Sequence, residues 1–256
     1  MSTTVYPVNG FDPAHLSGAT VVLPAVSLGN VPQLAADLIV SSLALKRVAF
    51  VGKGDTVAPF AGRGDDGLVT GGVELHGTLT GDLFVLLQRA PTLKAKKEEH
   101  VAQIAEAVKD AGAAIVLASL DAANQDDAQL LAPIQSILPP KTPTHPALKR
   151  VANLPPLRLT LDPNAAPSAG SKSYPPFLPG AGLTRRLLGA LADQPSGAIA
   201  EWVVEGDNRA DAHALAHALM GVLGIEVELR EPASWAGLFG AEEWSGGTGQ
   251  NAEIYG

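Results

Sequence analysis

Apolar runs and amphipathic helical segments alternate along the first 120 residues, and this order constrains the fold more than any other feature of the sequence. Thr20–Pro24 and residues 114–118 are short apolar runs that are typical of buried strands. Residues 94–112, between them, place apolar side chains on one stripe at helical spacing. A strand, a crossover helix and a second strand form a right-handed unit with parallel strands. We therefore predict an α/β fold with a mostly parallel sheet flanked by helices.

The same patterns predict further elements in the first half of the chain. Asn30 is a good N-cap and Pro32 suits the first turn of a helix that follows it. We expect Gly112 at the C′ position of the 94–112 helix. We also expect strands at 47–51, 72–75 and 83–87.

Proline dominates the middle of the chain. Twelve of the 20 prolines lie between Pro133 and Pro179, so only short regular elements fit there. We interpret residues 121–179 as a loop-rich excursion over the surface of a single domain, which spans residues 1–244.

A regular pattern returns after Pro179. It predicts a helix near 183–191, a strand at 198–204, a helix from Asp207 or Asn208 to Gly224, a half-exposed strand at 225–229, and a packed segment at 232–240.

Charge and composition exclude several classes of partner. The formal net charge is −8 at pH 7, which argues against nucleic acid or an anionic membrane as the main partner. No cysteine is present, so a disulfide framework or a thiolate nucleophile is excluded. We see neither a secretory signal nor an apolar run long enough to cross a bilayer, and we expect a soluble, cytoplasmic protein, with the nucleus left open as a second compartment.

Two glycine-rich segments invite an anion-binding interpretation. Gly52-Lys53-Gly54-Asp55 follows a strand but lacks the spacing of a P-loop, and we interpret it as a turn. Gly180-Ala181-Gly182 opens a helix, where backbone N–H groups could hold a phosphate. A tight turn that lets the helix approach closely is the interpretation we favour. The alternative is a phosphate- or nucleoside-binding enzyme that uses this turn.

No constellation of catalytic or metal-binding residues emerges from the sequence. His213 and His217 share one helix face, but a third metal ligand is not evident, and we interpret them as surface residues. The acidic pairs at 65–66, 126–127 and 242–243 fall in loop-like contexts and are interpreted as solvated. We predict no enzyme activity, no cofactor and no metal.

The C-terminal end combines a flexible tether with a compact ligand. Residues 245–251 are rich in glycine, serine and threonine, and 245–256 as a whole is predicted to be a flexible tail. Ile254, Tyr255 and Gly256 then supply an apolar side chain, an aromatic ring and a carboxylate. The tail is either a docking plug for another protein or a frayed terminus.

Four segments, in order, resemble the proteasome assembly chaperone 2 family. They are 23–31 with its continuation to Ile39, the proline-glycine turn at 179–184, the acidic turn and helix start at 205–212, and the segment 232–240. The matches extend from about residue 20 to about residue 240, while the proline-rich stretch matches poorly. The resemblance implies a non-enzymatic chaperone with a fold similar to that of nucleoside phosphorylases.

The resemblance also implies partners and a site. Members of the family pair with proteasome assembly chaperone 1, cap the α-subunit ring of 20S proteasome precursors, promote ring assembly and block premature binding of regulators. Fungal members end in a hydrophobic-Tyr-any tripeptide, which Ile254-Tyr255-Gly256 matches. The resemblance therefore favours the docking plug, with these three residues as the partner-binding site. Residues 23–39 are assigned to the core or to the heterodimer contact.

Overall fold

An eight-stranded mixed sheet forms the centre of the part of the chain that this computed structural model describes, residues 4–64, 67–125, 127–141, 143–157 and 174–236. The strands, with a small separate pair β4–β5, are β1 Val5–Pro7, β2 Thr20–Pro24, β3 Lys46–Val51, β4 Gly62–Arg63, β5 Val69–Thr70, β6 Val73–Gly77, β7 Leu83–Gln88, β8 Ala113–Asp121, β9 Ile134–Ile137 and β10 Ser196–Val203. The α-helices are α1 Val31–Ser42, α2 Lys97–Ala107, α3 Asp127–Leu130, α4 Pro146–Val151, α5 Gly182–Ala190 and α6 Arg209–Leu223.

The sheet has a parallel centre and antiparallel sides. The strand order is β1-β3-β6-β7-β2-β8-β10-β9. Strands β7, β2, β8 and β10 are parallel neighbours, whereas β1, β3, β6 and β9 pair antiparallel. The predicted α/β class is confirmed, and the sequence pattern did not reveal the antiparallel strands that flank the centre.

Helices cover the two faces of the sheet and create two cores. The first core contains α2 and α5, and the second contains α1, α4 and α6. Successive side chains of the central strands enter opposite cores, as Val21 and Val22 do, which is why these strands are apolar without interruption. Within the described residues, β3 and β6 contribute buried apolar side chains to the first core only.

The helix α1 forms as predicted, but its cap does not. Pro32 lies in the first turn, and Ala35, Leu38 and Ile39 are fully buried. Asn30 occupies the N-cap position in a left-handed conformation, with φ of 53°, and its side chain makes no capping hydrogen bond. The backbone turn before the helix therefore takes the place of the expected side-chain cap.

Helix α2 is shorter than predicted. It ends at Ala107, so Gly112 is not its C′ residue. Gly112 instead packs against the backbone of Gly18, because a Cβ on Gly112 would lie 2.2 Å from the Gly18 carbonyl oxygen. A contact between distant segments, rather than a helix end, explains this glycine.

A buried histidine anchors α2 to the sheet. His100 Nδ1 lies 3.0 Å from Thr56 Oγ1, and His100 Nε2 lies 3.1 Å from Gln88 Oε1. Burial lowers the pKa of His100 to about 4, so the ring is neutral at physiological pH. This network is structural, because both ring nitrogens are occupied inside the core.

The described part of the proline-rich excursion extends the sheet. Its regular elements are short, as predicted, but β9 pairs antiparallel with β10, and Leu148 and Val151 of α4 are buried in the second core. These elements therefore do not lie over the surface as loops. Proline limits the length of each element without preventing it from packing.

Residues 225–229 do not form the predicted strand. Ile225, Val227 and Leu229 do alternate toward the second core, but they pair with no other strand in the described chain. Trp235 is buried after them, and the rest of the predicted packed segment, from residue 237, lies outside the described residues. An alternation of apolar and polar residues indicates that one side of the segment is buried, but it does not indicate whether a neighbouring strand is available for pairing. Among the described helices, none is both long and apolar enough to cross a membrane.

Candidate functional site at the carboxyl edge of the sheet

Three central strands end side by side, and we call this border the carboxyl edge. Because β2, β8 and β10 are parallel, the segments that follow them emerge at the same border. In open α/β sheets, binding sites form outside the carboxyl ends of the strands. The carboxyl edge is therefore the first place to look for a functional site.

The structure brings three of the four family-like segments together at this edge. Residues 25–31 follow β2, and residues 205–212 follow β10. The 179–184 turn joins them because Asp121 N donates a hydrogen bond to Pro179 O at 3.1 Å. Residues 232–236, the described part of the fourth segment, lie elsewhere, because Pro232 and Ser234 line a cavity together with Ser41 at the end of α1.

Two serines fasten the loop after β2 to β8. Ser119 N donates to Ser27 Oγ at 3.0 Å, and Ser27 Oγ donates to Ala25 O at 3.1 Å. Ser119 Oγ lies 2.8 Å from Ser27 Oγ and donates to Leu28 O at 2.5 Å. Both hydroxyls are thus engaged with each other and with the main chain, and no histidine contacts them in the described structure, so they are not arranged as a nucleophile and base.

An asparagine links this loop to the start of α6. Asn208 Nδ2 donates to Val204 O and to Asp211 Oδ2, both at 2.8 Å. The Asn208 Oδ1 atom accepts from Gly206 N at 3.2 Å, in the turn before α6. This oxygen therefore does not cap a backbone N–H at the start of the helix. Gly29 packs directly on it, because a Cβ on Gly29 would lie 2.5 Å from Asn208 Oδ1.

Glu201 is the buried acidic group of this edge. It is in register with Ser119 and 4% exposed, and its Oε2 has no hydrogen-bond partner in the described part of the chain. Burial, together with the negative charge of Asp211, raises the pKa of Glu201 to about 8. The carboxyl is therefore mostly protonated at neutral pH and is a poor base there.

Three exposed apolar side chains lie near the carboxyl end of β10 and the start of β9. Val204 is 72% exposed and Leu131 is 90% exposed. Trp202 N donates to Pro133 O at 3.0 Å, which puts both residues at the same end of the β9–β10 pair. Leu130, 61% exposed, precedes Leu131. We call these three residues the apolar rim, and such exposed clusters are typical of protein contacts.

Backbone conformation explains the glycine turn before α5, since Gly180 has φ of 74°. Close packing does not explain it, because a Cβ on Gly180 would make only ordinary contact with Asp121 Cβ at 3.4 Å and a Cβ on Gly182 would meet nothing within 4 Å. The Asp121 carboxylate accepts hydrogen bonds from Ala123 N and Asn124 Nδ2. A carboxylate beside the turn disfavours a bound phosphate, so the geometry supports the tight-turn interpretation.

The other residues that the sequence singled out do not converge. His213 and His217 lie with ring centroids 6.5 Å apart, and His213 Nε2 is 3.2 Å from Glu231 Oε1. No group of three metal-ligating side chains occurs in the described residues. Gly52 and Gly54 have φ of 69° and 78°, as expected for a turn. The acidic pairs at 65–66 and 242–243, which we interpret from the sequence as solvated, and residue 126 lie outside the described residues.

Ile254, Tyr255 and Gly256 also lie outside the described residues. Sequence reasoning missed Ser119 and Glu201, although each is a polar residue inside an otherwise apolar strand. A polar residue inside an apolar strand was the signal that could have identified them. A buried polar group costs free energy unless it has a hydrogen-bond partner, so such a residue deserves a search for one.

Comparisons with known proteins agree with this architecture. The profile of the PAC2 family matches residues 21–231. A relative from Danio rerio, "Proteasome assembly chaperone 2", is 30% identical over 243 residues, with 88% of this chain and 92% of the relative covered.

Two solved structures from Pyrococcus furiosus share the fold. PbaA, described as an archaeal homolog of proteasome-assembly chaperone, superposes with a TM-score of 0.60 at 17% identity over 88% of each chain. PbaB, described as an archaeal proteasome activator, gives 0.56 at 15% identity over 89% of this chain and 92% of its own. Because the family profile matches residues 21–231 and the Danio rerio relative covers 88% of the chain, the chain belongs to the PAC2 family.

Proposed function

We propose that this chain is a proteasome assembly chaperone and not an enzyme. The observation that carries the proposal is its similarity, over 88% of its length, to a relative named for that role. The carboxyl edge supports it, because Ser27, Ser119 and Asn208 bind neighbouring groups and hold loops in place instead of presenting a nucleophile.

The proposed partners are proteasome assembly chaperone 1 and the α subunits of 20S proteasome precursors. In this proposal the two chaperones form a heterodimer, cap the α-ring, promote its assembly and block premature binding of regulators. The apolar rim is the candidate body contact. Burying its three side chains would contribute about 1.5–3 kcal/mol each.

The C-terminal tail is the proposed anchor on the α-ring. Ile254 would fill an apolar slot between α subunits, Tyr255 would pack its ring and hydrogen-bond through its hydroxyl, and the Gly256 carboxylate would pair with a cation. Each apolar group contributes about 1.5–3 kcal/mol and the charged hydrogen bond a similar amount. Ordering the tether on binding costs roughly 1–2 kcal/mol of conformational entropy per residue, which reduces this gain.

One tail of this kind binds weakly. A net free energy of about 4 kcal/mol corresponds to a Kd of only about 1 mM. Linkage to the body contact and to a second tail on the partner chaperone raises the affinity by about 10²–10⁴ through effective concentration. We therefore expect useful binding only from the assembled heterodimer.

A pull-down of 20S precursors with the heterodimer tests the anchor. Deleting residues 254–256 should reduce recovered α subunits by roughly tenfold or more while the heterodimer stays intact. The matched control deletes residues 245–247, which removes three tether residues and keeps the end. Equal recovery from both deletions would refute the anchor. Adding one residue after Gly256 should act almost like the deletion, because it displaces the carboxylate.

Two further measurements separate the alternatives. Calorimetry with inorganic phosphate and with nucleosides tests the enzyme interpretation, and submillimolar binding abolished by Gly180→Ala would support that interpretation over ours. Comparison of immature with mature 20S particles distinguishes an assembly chaperone, which should prefer the former, from a regulator of the finished proteasome.

A further inference from the structure

A basic cavity lies on the antiparallel side of the sheet, away from the carboxyl edge. It encloses about 400 Å³ between the C-terminal end of α1, strands β3 and β6, the β4–β5 pair and residues 232–234. Strands β3 and β6 bury apolar side chains only on their other face. On the cavity face they carry Arg47, Glu74 and His76 instead.

The lining has an excess of positive charge. Four cationic residues, Lys46, Arg47, Arg63 and Arg89, face two carboxylates. Counting the histidine as neutral, the described lining residues carry two positive charges more than negative ones, on a chain whose net charge is −8. Such a reversal concentrates anions locally.

Two of the cations are held in place by ion pairs. Arg47 Nη1 donates to Glu74 Oε1 at 2.7 Å, and Arg89 Nη1 lies 2.7 Å from Asp37 Oδ1. Lys46, in contrast, is exposed and makes no ion pair with the described residues, and the same holds for Arg63. These two side chains are available to a ligand.

Arg47 contributes charge to the inner wall and not a free hydrogen bond. Its Nη1 donates to Glu74 Oε1 at 2.7 Å and to Val69 O at 2.6 Å, and its guanidinium lies 4.8 Å from the centroid of the Phe50 ring. Arg47 Nε is buried, so a ligand in the cavity does not reach it. The positive charge of Arg47 therefore acts on a ligand through space.

The rest of the lining indicates which kind of anion fits. Phe60, which is 42% exposed, Val40 and Pro232 give the cavity an apolar side. Ser41 lies in the last turn of α1, where the helix dipole is negative and opposes a multiply charged ligand. A singly charged carboxylate next to apolar groups suits both features better than a phosphate.

We propose that this cavity binds an acidic side chain of a partner polypeptide, flanked by apolar residues. Lys46 and Arg63 pair with the carboxylate, and Phe60 and Pro232 contact the apolar neighbours. This site is separate from the carboxyl edge and uses none of residues 254–256, so it provides a further contact that the proposed α-ring anchor does not require.

Fluorescence anisotropy with labelled peptides tests the proposal on the full-length chain. The probes are a pool of acetylated, amidated hexapeptides with one central Asp or Glu between apolar residues, and a matched pool with Asn or Gln. We expect the acidic pool to bind at least about tenfold more tightly than the amide pool. Inorganic phosphate and ATP serve as competitors.

A pair of double variants with the same charge change makes the test specific. Lys46→Gln with Arg63→Gln should weaken binding of the acidic pool by about tenfold or more. Lys53→Gln with Arg185→Gln alters two exposed cations outside the cavity and should leave binding unchanged. Circular dichroism checks that all variants are folded.

Three outcomes would overturn the proposal. The first is no binding of the acidic pool up to about 1 mM, or equal loss in both double variants. The second is that phosphate or ATP binds tightly while no peptide of the acidic pool binds. The third is a rise of tenfold or more in peptide affinity when Glu242→Gln and Glu243→Gln are introduced, which would identify this chain's own acidic segment as the occupant.

Discussion

Two buried glutamates on the same sheet occupy opposite environments. Glu74, on the antiparallel side, has a side chain that is 1% exposed, and Glu201, in the parallel centre, is 4% exposed. Burial favours the neutral form of both. Around Glu74, hydrogen bonds from His76, Gly71 N and Arg47 outweigh burial and lower its pKa to about 2. Around Glu201 no donor compensates, and its pKa rises to about 8.

The difference follows from what covers each part of the sheet. The parallel centre is enclosed by helices on both faces, so a carboxyl there is tolerated only in its neutral form. The antiparallel side lacks a helix over one face in the described structure, and the open cavity there accommodates charged side chains. One sheet thus provides a dry interior and an ionic surface pocket.

The largest effect should come from removing the charge of Glu74. Glu74→Gln leaves Arg47 partly buried without its anion, and we expect the free energy of unfolding to fall by about 3–5 kcal/mol at pH 7. Urea unfolding measures it. Glu99→Gln is the matched control, because the exposed Glu99–Lys96 pair should contribute no more than about 1 kcal/mol. Similar losses in both variants would contradict the buried pair.

The opposite sign is expected for Glu201. Its pKa is raised in the folded state from 4.5 to about 8, so between these values the unfolded chain has released a proton that the folded chain retains. Stability should fall as the pH rises through this window, by about 1.4 kcal/mol per pH unit. Glu201→Gln should remove that slope and stabilise the protein by about 3 kcal/mol at pH 7.

Unfolding of the parent and the variant from pH 5 to pH 8 measures this slope. Exposed Glu205→Gln is the control and should leave the slope unchanged. A slope that survives in Glu201→Gln would show that another group, and not Glu201, causes it. Glu74 acts at lower pH: its stabilisation is present above pH 4.5 and is lost as the pH falls toward 2.

A smaller effect should follow from crowding the carboxyl edge. Gly29→Ala puts a Cβ 2.5 Å from Asn208 Oδ1 at a residue with φ of 64°, and we expect a loss of about 2 kcal/mol. Gly206→Ala is the control, since a Cβ there meets nothing within 4 Å. Thermal unfolding of both variants tests whether this edge is as tightly built as its hydrogen bonds indicate, and equal melting temperatures would contradict it.

The smallest stability effect belongs to the apolar rim. Val204→Ser with Leu131→Ser should change the free energy of unfolding by no more than about 0.5 kcal/mol, because both side chains are exposed. Binding of the heterodimer to 20S precursors should nevertheless weaken about tenfold, measured by a pull-down. Val69→Ser, 68% exposed on the antiparallel side, should not affect this binding. Weaker binding with this control alone would move the body contact to that side.

Much of the fold was predictable because local periodicity reflects burial. The strands β2 and β8 and the helices α1, α5 and α6 follow from apolar spacing and from stop signals such as Gly224, whose φ is 73°. Failures arose where distant contacts decide the structure. Gly112 is required because it packs against the backbone of Gly18, and β9 is a strand because it pairs with the free edge of β10.

The candidate site was only partly predictable for the same reason. The sequence marked residues 25–31 and 205–212, but not that Ser119 and Glu201 lie beneath them, since the pairing of β8 with β10 is not visible locally. The basic cavity was missed entirely, because Lys46 and Arg63 are brought together by the sheet and by β4–β5. The tail residues 254–256 remain a prediction from resemblance.

The packing of α1 against α6 has a consequence for synthesis of the chain. These helices share the second core, yet α1 ends at residue 42 and α6 begins at residue 209. At about 5–20 residues per second, the ribosome needs roughly 10–30 s to deliver the later helix. Throughout that interval the nascent α1 lacks α6, so the apolar side chains that α6 later covers stay exposed. A chain with a chaperone's fold thus itself passes through a stage at which other chaperones could bind it.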